Sequence, residues 1–237
     1  MIAKSNSSRL QDFKLLFRAQ DKIYKGVREF CTTKNKRITL PLWLIWFCFG
    51  VAYYGLVLLI GKMFERASER SHYCNFNTTA IFLGSAAEAV GILVAAVFVS
   101  PWGRMGTQAA LYAGGAVSAL LMGLDLPNAT IVVVSIFARA TVMGASAAMW
   151  VATPELLSTR MRSTGHAIAN SFSRVGAFIA PLLINSHVFS VSSLTIIFTV
   201  LNAVAVIASF FLPETAGECV CVGVSLGSSV MRGMDWV

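Results

Sequence analysis

From Leu40 onward, long apolar runs are separated by short polar stretches. A helix needs roughly 20 apolar residues to cross the ~30 Å hydrocarbon core of a bilayer. Six runs are that long, at about 40–61, 78–100, 107–125, 129–152, 165–185 and 191–212. Spanning strands instead alternate polar and apolar residues over roughly ten positions. These runs are apolar on every side for the length of a helix. The pattern predicts an all-α membrane protein with six transmembrane helices.

Composition agrees with the pattern, and charge adds an orientation. Hydrophobic residues make up 56% of the chain and charged residues 13%, against about 25% charged in a soluble domain. Ten of the 19 Lys and Arg lie between Lys4 and Arg37. Positively charged flanks stay on the cytoplasmic side. With the amino terminus inside, the segments 1–39, 101–106, 153–164 and 213–237 carry fourteen Lys or Arg, and the outer segments carry three: Lys62, Arg66 and Arg70. Both termini are therefore expected in the cytoplasm. The chain divides into a basic segment (1–39), a helical bundle (40–212) and a tail (213–237). In the basic segment Leu10, Phe13, Leu16, Phe17, Tyr24 and Val27 recur at near-helical spacing. That spacing fits an amphipathic helix on an anionic leaflet and equally a solvated linker. Because the segment abuts a span, it matches lipid headgroups rather than nucleic acid.

Three ionisable residues fall inside the runs: Glu88, Arg139 and Arg174. At 1.5 Å per residue, Glu88 and Arg139 each lie about 15 Å from the outer end of their helices, and Arg174 about 14 Å from the inner end. A lone charge at that depth costs about 2.5–3.5 kcal/mol on insertion scales. Three charges at one depth on three helices point to a shared polar cavity at the midplane, where secondary transporters bind their substrates. The alternative is a structural salt bridge between Glu88 and one arginine, which leaves the other arginine unmatched. Tyr53 and Tyr54 lie too deep for an interfacial belt; they either line the pathway or pack. Ala87-x-x-x-Gly91, Gly115-x-x-x-Ala119 and Gly144–Ala148 allow close helix approach.

Other chemistry is sparse. The five cysteines are Cys31, Cys48, Cys74, Cys219 and Cys221. Only Cys74 falls outside, so no internal disulfide is expected. Cys219 and Cys221 read as ordinary thiols or as palmitoylation sites. The sequons at Asn77 and Asn128 lie against the membrane surface and are expected to stay unglycosylated. There is no zinc spacing, P-loop or nucleophile elbow. No metal, no cofactor and no enzymatic activity are expected.

Several stretches resemble the major facilitator superfamily. "TPELLSTRMRSTG" (153–165) resembles the loop between that family's helices ten and eleven, with Glu155, Arg162 and Gly165 at the patterned positions. "FLPETAG" (211–217) resembles its motif after helix twelve, and "VSPWGRMG" (99–106) its loop between helices eight and nine. The last keeps Gly103 and Arg104 but has Ser100 and Pro101 where an acid and an arginine are usual. "WLIWFCFGVAYYGLVLL" (43–59), the Glu88 helix, "FARATVMG" (137–144) and "SRVGAFIAP" (173–181) together resemble the synaptic-vesicle-two-related and organic-ion transporter branch. Sugar porters resemble the chain less, because Glu88 and Arg174 are not their pattern. The match covers about residues 38–218 and begins at the family's helix seven.

The resemblance implies one half of a major facilitator fold, built from two three-helix repeats, with residues 1–39 as the central cytoplasmic loop. Such a chain is expected to be a fragment or truncated product, or to pair with an amino-terminal six-helix half or a second copy. The implied function is alternating-access transport of a small organic solute. Glu88, Arg139, Arg174, Tyr53 and Tyr54 would form the substrate or coupling-ion pathway, with Glu88 as a proton-coupling or ion-pair site. Arg104, Glu155, Arg162, Gly103 and Gly165 would form a reduced cytoplasmic gating network; alternatively Arg104 and Arg162 are topology signals only. In the organic-ion branch the position matching Arg174 is typically Arg in anion carriers and Asp in cation carriers, so the substrate leans anionic. The competing expectation is a non-transporting membrane protein that binds a partner or regulates.

Overall fold

The computed structural model describes residues 33–70, 78–124, 126–157, 159, 161–186 and 189–214. Five helices run through them: α1 (Thr33–Arg70), α2 (Thr78–Leu121), α3 (Asn128–Leu156), α4 (Arg162–Asn185) and α5 (Val191–Phe210). No strand occurs among the described residues. All five helices are long and apolar enough to cross a membrane.

The helices outrun the apolar runs that predict them. α1 begins seven residues before Leu40 and continues through Glu65 and Arg66 to Arg70. Hydropathy reports where lipid is tolerated, whereas helix formation continues through Lys, Arg and Glu, which are good helix formers. The largest difference is in α2. The runs 78–100 and 107–125 lie on one element of 44 residues, and its helical stretch ends at Leu121. That element breaks at Gly103, where φ is 77° and ψ is 174°. Pro101 contributes by removing a backbone donor and crowding the preceding turn, and only glycine takes the positive φ without strain.

The break opens a new helix start, whose first N–H groups have no partner within the helix. Glu214, just past α5, supplies one. Its Oε1 accepts from the Arg104 N–H (2.9 Å) and its Oε2 from the Met105 N–H (3.1 Å). A carboxylate at this position also suits the positive end of the helix dipole. Gly103 is needed here a second time, because a Cβ would stand 2.6 Å from the Glu214 carboxyl carbon.

α2 packs chiefly against α3, and α1 against α4, while α5 lies against α2 and α1. Glycine sets both main seams. A Cβ on Gly91 would run into the Ala140 carbonyl, and one on Gly144 would stand 2.5 Å from the Gly91 carbonyl oxygen. Gly50 meets the Ser173 carbonyl, and a Cβ on Gly176 would lie 2.6 Å from the Phe47 oxygen. Lipid offers no hydrophobic drive between helices, so association depends on such close backbone approach. Large side chains fill the remaining interior, among them Trp46, Leu56, Tyr112, Met149 and Phe198. Some buried polar groups are answered internally, as hydrocarbon favours: the Gln108 Nε2 donates to Ser209 Oγ (3.0 Å), and Asn202 Nδ2 to the Phe198 carbonyl (2.8 Å), whereas Asn202 Oδ1 and Thr107 Oγ1 find no hydrogen-bond partner among the described residues.

Candidate functional site

The α2–α3 seam brings two of the three expected charges together. Glu88 lies one helical turn before Gly91 on α2, and Arg139 immediately precedes Ala140 on α3, so the close approach at Gly91 leaves their side chains facing each other. Arg139 Nε and Nη2 both donate to Glu88 Oε1, at 2.9 and 2.5 Å. Nη2 also lies 3.3 Å from Ser85 Oγ. From α1, the Tyr53 hydroxyl donates to the Glu88 carboxylate, 3.2 Å from each oxygen.

Room for the guanidinium comes from Gly84, one turn before Glu88. A Cβ there would stand 3.2 Å from Arg139 Nη1. Gly84, Ser85 and Glu88 thus share one face of α2 as floor, second acceptor and counter-ion. The pair is largely enclosed, with side-chain exposures of 9% for Arg139 and 16% for Glu88. Two charges leave water at a cost of several kcal/mol each, and a buried pair persists only when further hydrogen bonds satisfy it. Tyr53 and Ser85 provide those bonds.

Arg174 is placed differently. α4 buries the stripe Ala169, Ser173, Gly176, Ala180 and Ile184. Arg174 lies on the exposed side with Ser171, Phe178 and Leu182, and makes no ion pair among the described residues. Both charge sites are nevertheless keyed to one stretch of α1. Ser173, beside Arg174, touches Gly50, and Tyr53, three residues on, reaches Glu88. Tyr54 is exposed and sets its ring edge against Tyr53, 5.2 Å between centroids.

A second group of expected residues meets at the α2 break. Arg104 and Glu155, at the end of α3, form an ion pair, with Nη2 to Oε1 at 2.7 Å. Gly103 lies against Glu214 as described. Arg162 opens α4 with its Nε buried and without a hydrogen-bond partner among the described residues, and it makes no ion pair there. Gly165 is buried in the first turn of α4, its N–H bonded to the Met161 carbonyl (2.8 Å). Arg104 and Glu155 are thus brought together.

Three features escape sequence reasoning: the Gly84–Ser85 pair, Glu214 and one aromatic junction. Gly84 and Ser85 carry a signal, since they sit four and three residues before Glu88 on one helical face. Glu214 stands in the quoted "FLPETAG", yet nothing local indicates a partner 110 residues away. The third is a junction near the amino-terminal end of α4. Trp46 donates from Nε1 to Thr153 Oγ1 (3.0 Å), and its ring meets Trp150 and His166 edge-on. Among the described residues no three His, Cys, Asp or Glu cluster as metal ligands would. Cys48 is buried and unpaired. The expectations for residues 1–32, Asn77, Cys31, Cys74, Cys219 and Cys221 lie outside the described residues.

Apolar helices held by glycine seams around a buried ion pair define a multi-pass membrane protein. The profile of the sugar (and other) transporter family matches residues 4–220, and the chain belongs to that family, within the major facilitator superfamily. The "Synaptic vesicle 2-related protein" of Xenopus laevis is 31% identical over 236 residues, covering 92% of this chain and 43% of that protein. The "Organic anion transporter 3" of Homo sapiens is 30% identical over 191 residues, covering 77% and 32%. The "Organic cation/carnitine transporter 7" of Arabidopsis thaliana is 29% identical over 155 residues, covering 61% and 30%. The chain spans less than half the length of each. These relatives agree with the expected branch, synaptic-vesicle-two-related and organic-ion carriers.

Proposed function

We propose that the chain forms one six-span half of a carrier that moves small organic anions by alternating access. In this reading α2 is two spans joined at Gly103, so that 33–121 and 128–210 are two three-helix repeats. The opposite wall comes from an amino-terminal six-helix half or from a second copy. Both termini face the cytoplasm by the distribution of Lys and Arg, which puts Arg104, Glu155 and Glu214 at the cytoplasmic ends of their helices as a gating contact.

One observation carries the anionic reading. Of the two arginines inside spans, Arg139 is neutralised by Glu88, while Arg174 is exposed on α4 without a counter-ion among the described residues. A cation at the midplane is stabilised by water, by an acid from the opposite wall, or by the negative group of a substrate. Glu88, paired with Arg139, is the proton-coupling or ion-pair site in this reading.

The test is uptake of radiolabelled organic anions and cations by the complete carrier in liposomes, normalised to folded protein. Arg174→Leu is expected to reduce anion uptake at least about tenfold, which corresponds to one charge-assisted contact of roughly 1.5–3 kcal/mol. Arg174→Lys should rescue poorly where the contact is bidentate, and Arg174→Asp should shift preference toward cations. Normal uptake by Arg174→Leu would sink the reading. Absence of uptake of any solute by the complete wild-type protein would favour a binding or regulatory role.

A further inference from the structure

A groove of about 460 Å³ runs between the start of α1 and the end of α5, lined almost wholly by apolar atoms. Leu40, Pro41 and Leu44 form one wall, and Ile207, Ala208 and Phe211 the other. Leu40, Ile207 and Phe211 are strongly exposed, so the groove opens outward from the bundle. At its end stand two cations. Lys36 is four residues before Leu40 and Arg37 four before Pro41, so both continue the groove-facing stripe of α1. Lys36 and Arg37 are exposed and make no ion pair among the described residues. The acid nearest this end of α5 is Glu214, whose carboxylate is occupied by the Arg104 and Met105 N–H groups.

We propose that this groove holds an acyl chain of one anionic phospholipid, with the lipid phosphate against Lys36 and Arg37. The spacing fits. Four residues of helix put the cations about 6 Å from the first groove residues, within reach of long side chains whose stems lie along apolar surface while their heads stay in water. Apolar walls alone would accept the chain of any lipid. The two cations, which have no ion pair among the described residues, select the charge of the headgroup, each contributing about 1 kcal/mol toward an anionic lipid. A free phosphate would find the cations but no use for the groove.

The experiment uses the full 237-residue chain, stripped of lipid in detergent and titrated with phosphatidylglycerol or phosphatidylcholine of matched chains. Bound lipids are counted by native mass spectrometry. The first site should prefer phosphatidylglycerol roughly tenfold to thirtyfold. Lys36→Gln with Arg37→Gln should bring that ratio near one. Lys22→Gln with Lys25→Gln, which removes the same charge from the basic segment, should leave it in place. Ala208→Phe should fill the groove and remove first-site binding of both lipids. Ile207→Ser is the gentler variant and should weaken both; it decides the matter if Ala208→Phe loses its helical circular dichroism. The proposal is overturned by a wild-type ratio near one, by equal losses from the Lys36/Arg37 and Lys22/Lys25 double variants, or by groove variants that bind as wild type.

Discussion

Arg139 and Arg174 have the same side chain, sit at about the same expected depth, and lie on neighbouring helices, yet the structure treats them oppositely. Arg139 is buried, held by Glu88 and flanked by Ser85 and Gly84. Arg174 faces outward from the α4 stripe that packs on α1. Depth alone therefore does not decide what an intramembrane charge is for. The deciding factor is which face of the helix carries it, and whether the helix opposite offers an acid and an empty volume. α2 offers both to Arg139. α1, which meets α4 through Gly50 and Gly176, offers backbone to the other side of Arg174's helix.

The comparison breaks most sharply on stability. Arg139→Leu strands Glu88 against an apolar wall and is expected to destabilise the folded chain by about 3 kcal/mol, the order seen when one partner of a buried pair is removed. Arg174→Leu should change stability by less than about 1 kcal/mol or improve it, since a costly charge leaves the bilayer. Unfolding in mixed micelles with rising denaturing detergent, followed by circular dichroism, measures both. Equal losses would erase the distinction between the two arginines.

A double-mutant cycle sharpens the same contrast at smaller scale. Glu88→Gln and Arg139→Leu should couple by about 1.5–3 kcal/mol, because the second change removes the charge stranded by the first. Glu88→Gln and Arg174→Leu should be additive within about 0.5 kcal/mol. Coupling in the second pair would mean that Glu88 serves both arginines.

The smallest effects concern the shell. Tyr53→Phe removes one hydroxyl donor and should lower stability by about 1 kcal/mol. Gly84→Ala puts a methyl 3.2 Å from Arg139 Nη1, so the guanidinium must shift by a few tenths of an ångström. A loss of about 1 kcal/mol is expected. In a Glu88→Leu background the Tyr53→Phe loss should shrink, because the hydroxyl has lost its acceptor. An unchanged loss would show that the hydroxyl acts through a partner other than Glu88.

Much of this arrangement can be read in the chain. Ten-residue offsets from the outer ends of two helices place Glu88 and Arg139 at one level, and the small residues at Gly91 and Gly144 mark the seam that brings them together. Three features cannot be read locally. The exposure of Arg174 depends on which α4 stripe finds α1, and serine, glycine and alanine mark that stripe only weakly. The ends of α1 depend on helix continuation through charged residues, which hydropathy does not measure. The break at Gly103 falls between the apolar runs 78–100 and 107–125, but that Glu214 caps the new helix start there is not legible locally. The runs 78–100 and 107–125 correspond to the two helical stretches of α2 on either side of Gly103.

That cap also has a history in time. Glu214 is made 110 residues after Arg104, so during synthesis the start of the second α2 stretch goes without its acceptor until the last helix is complete. The break at Gly103 can form early, because proline and glycine are present from the outset. Its closure waits for α5. Glu214 thus closes the α2 break only after the helices between them have been made.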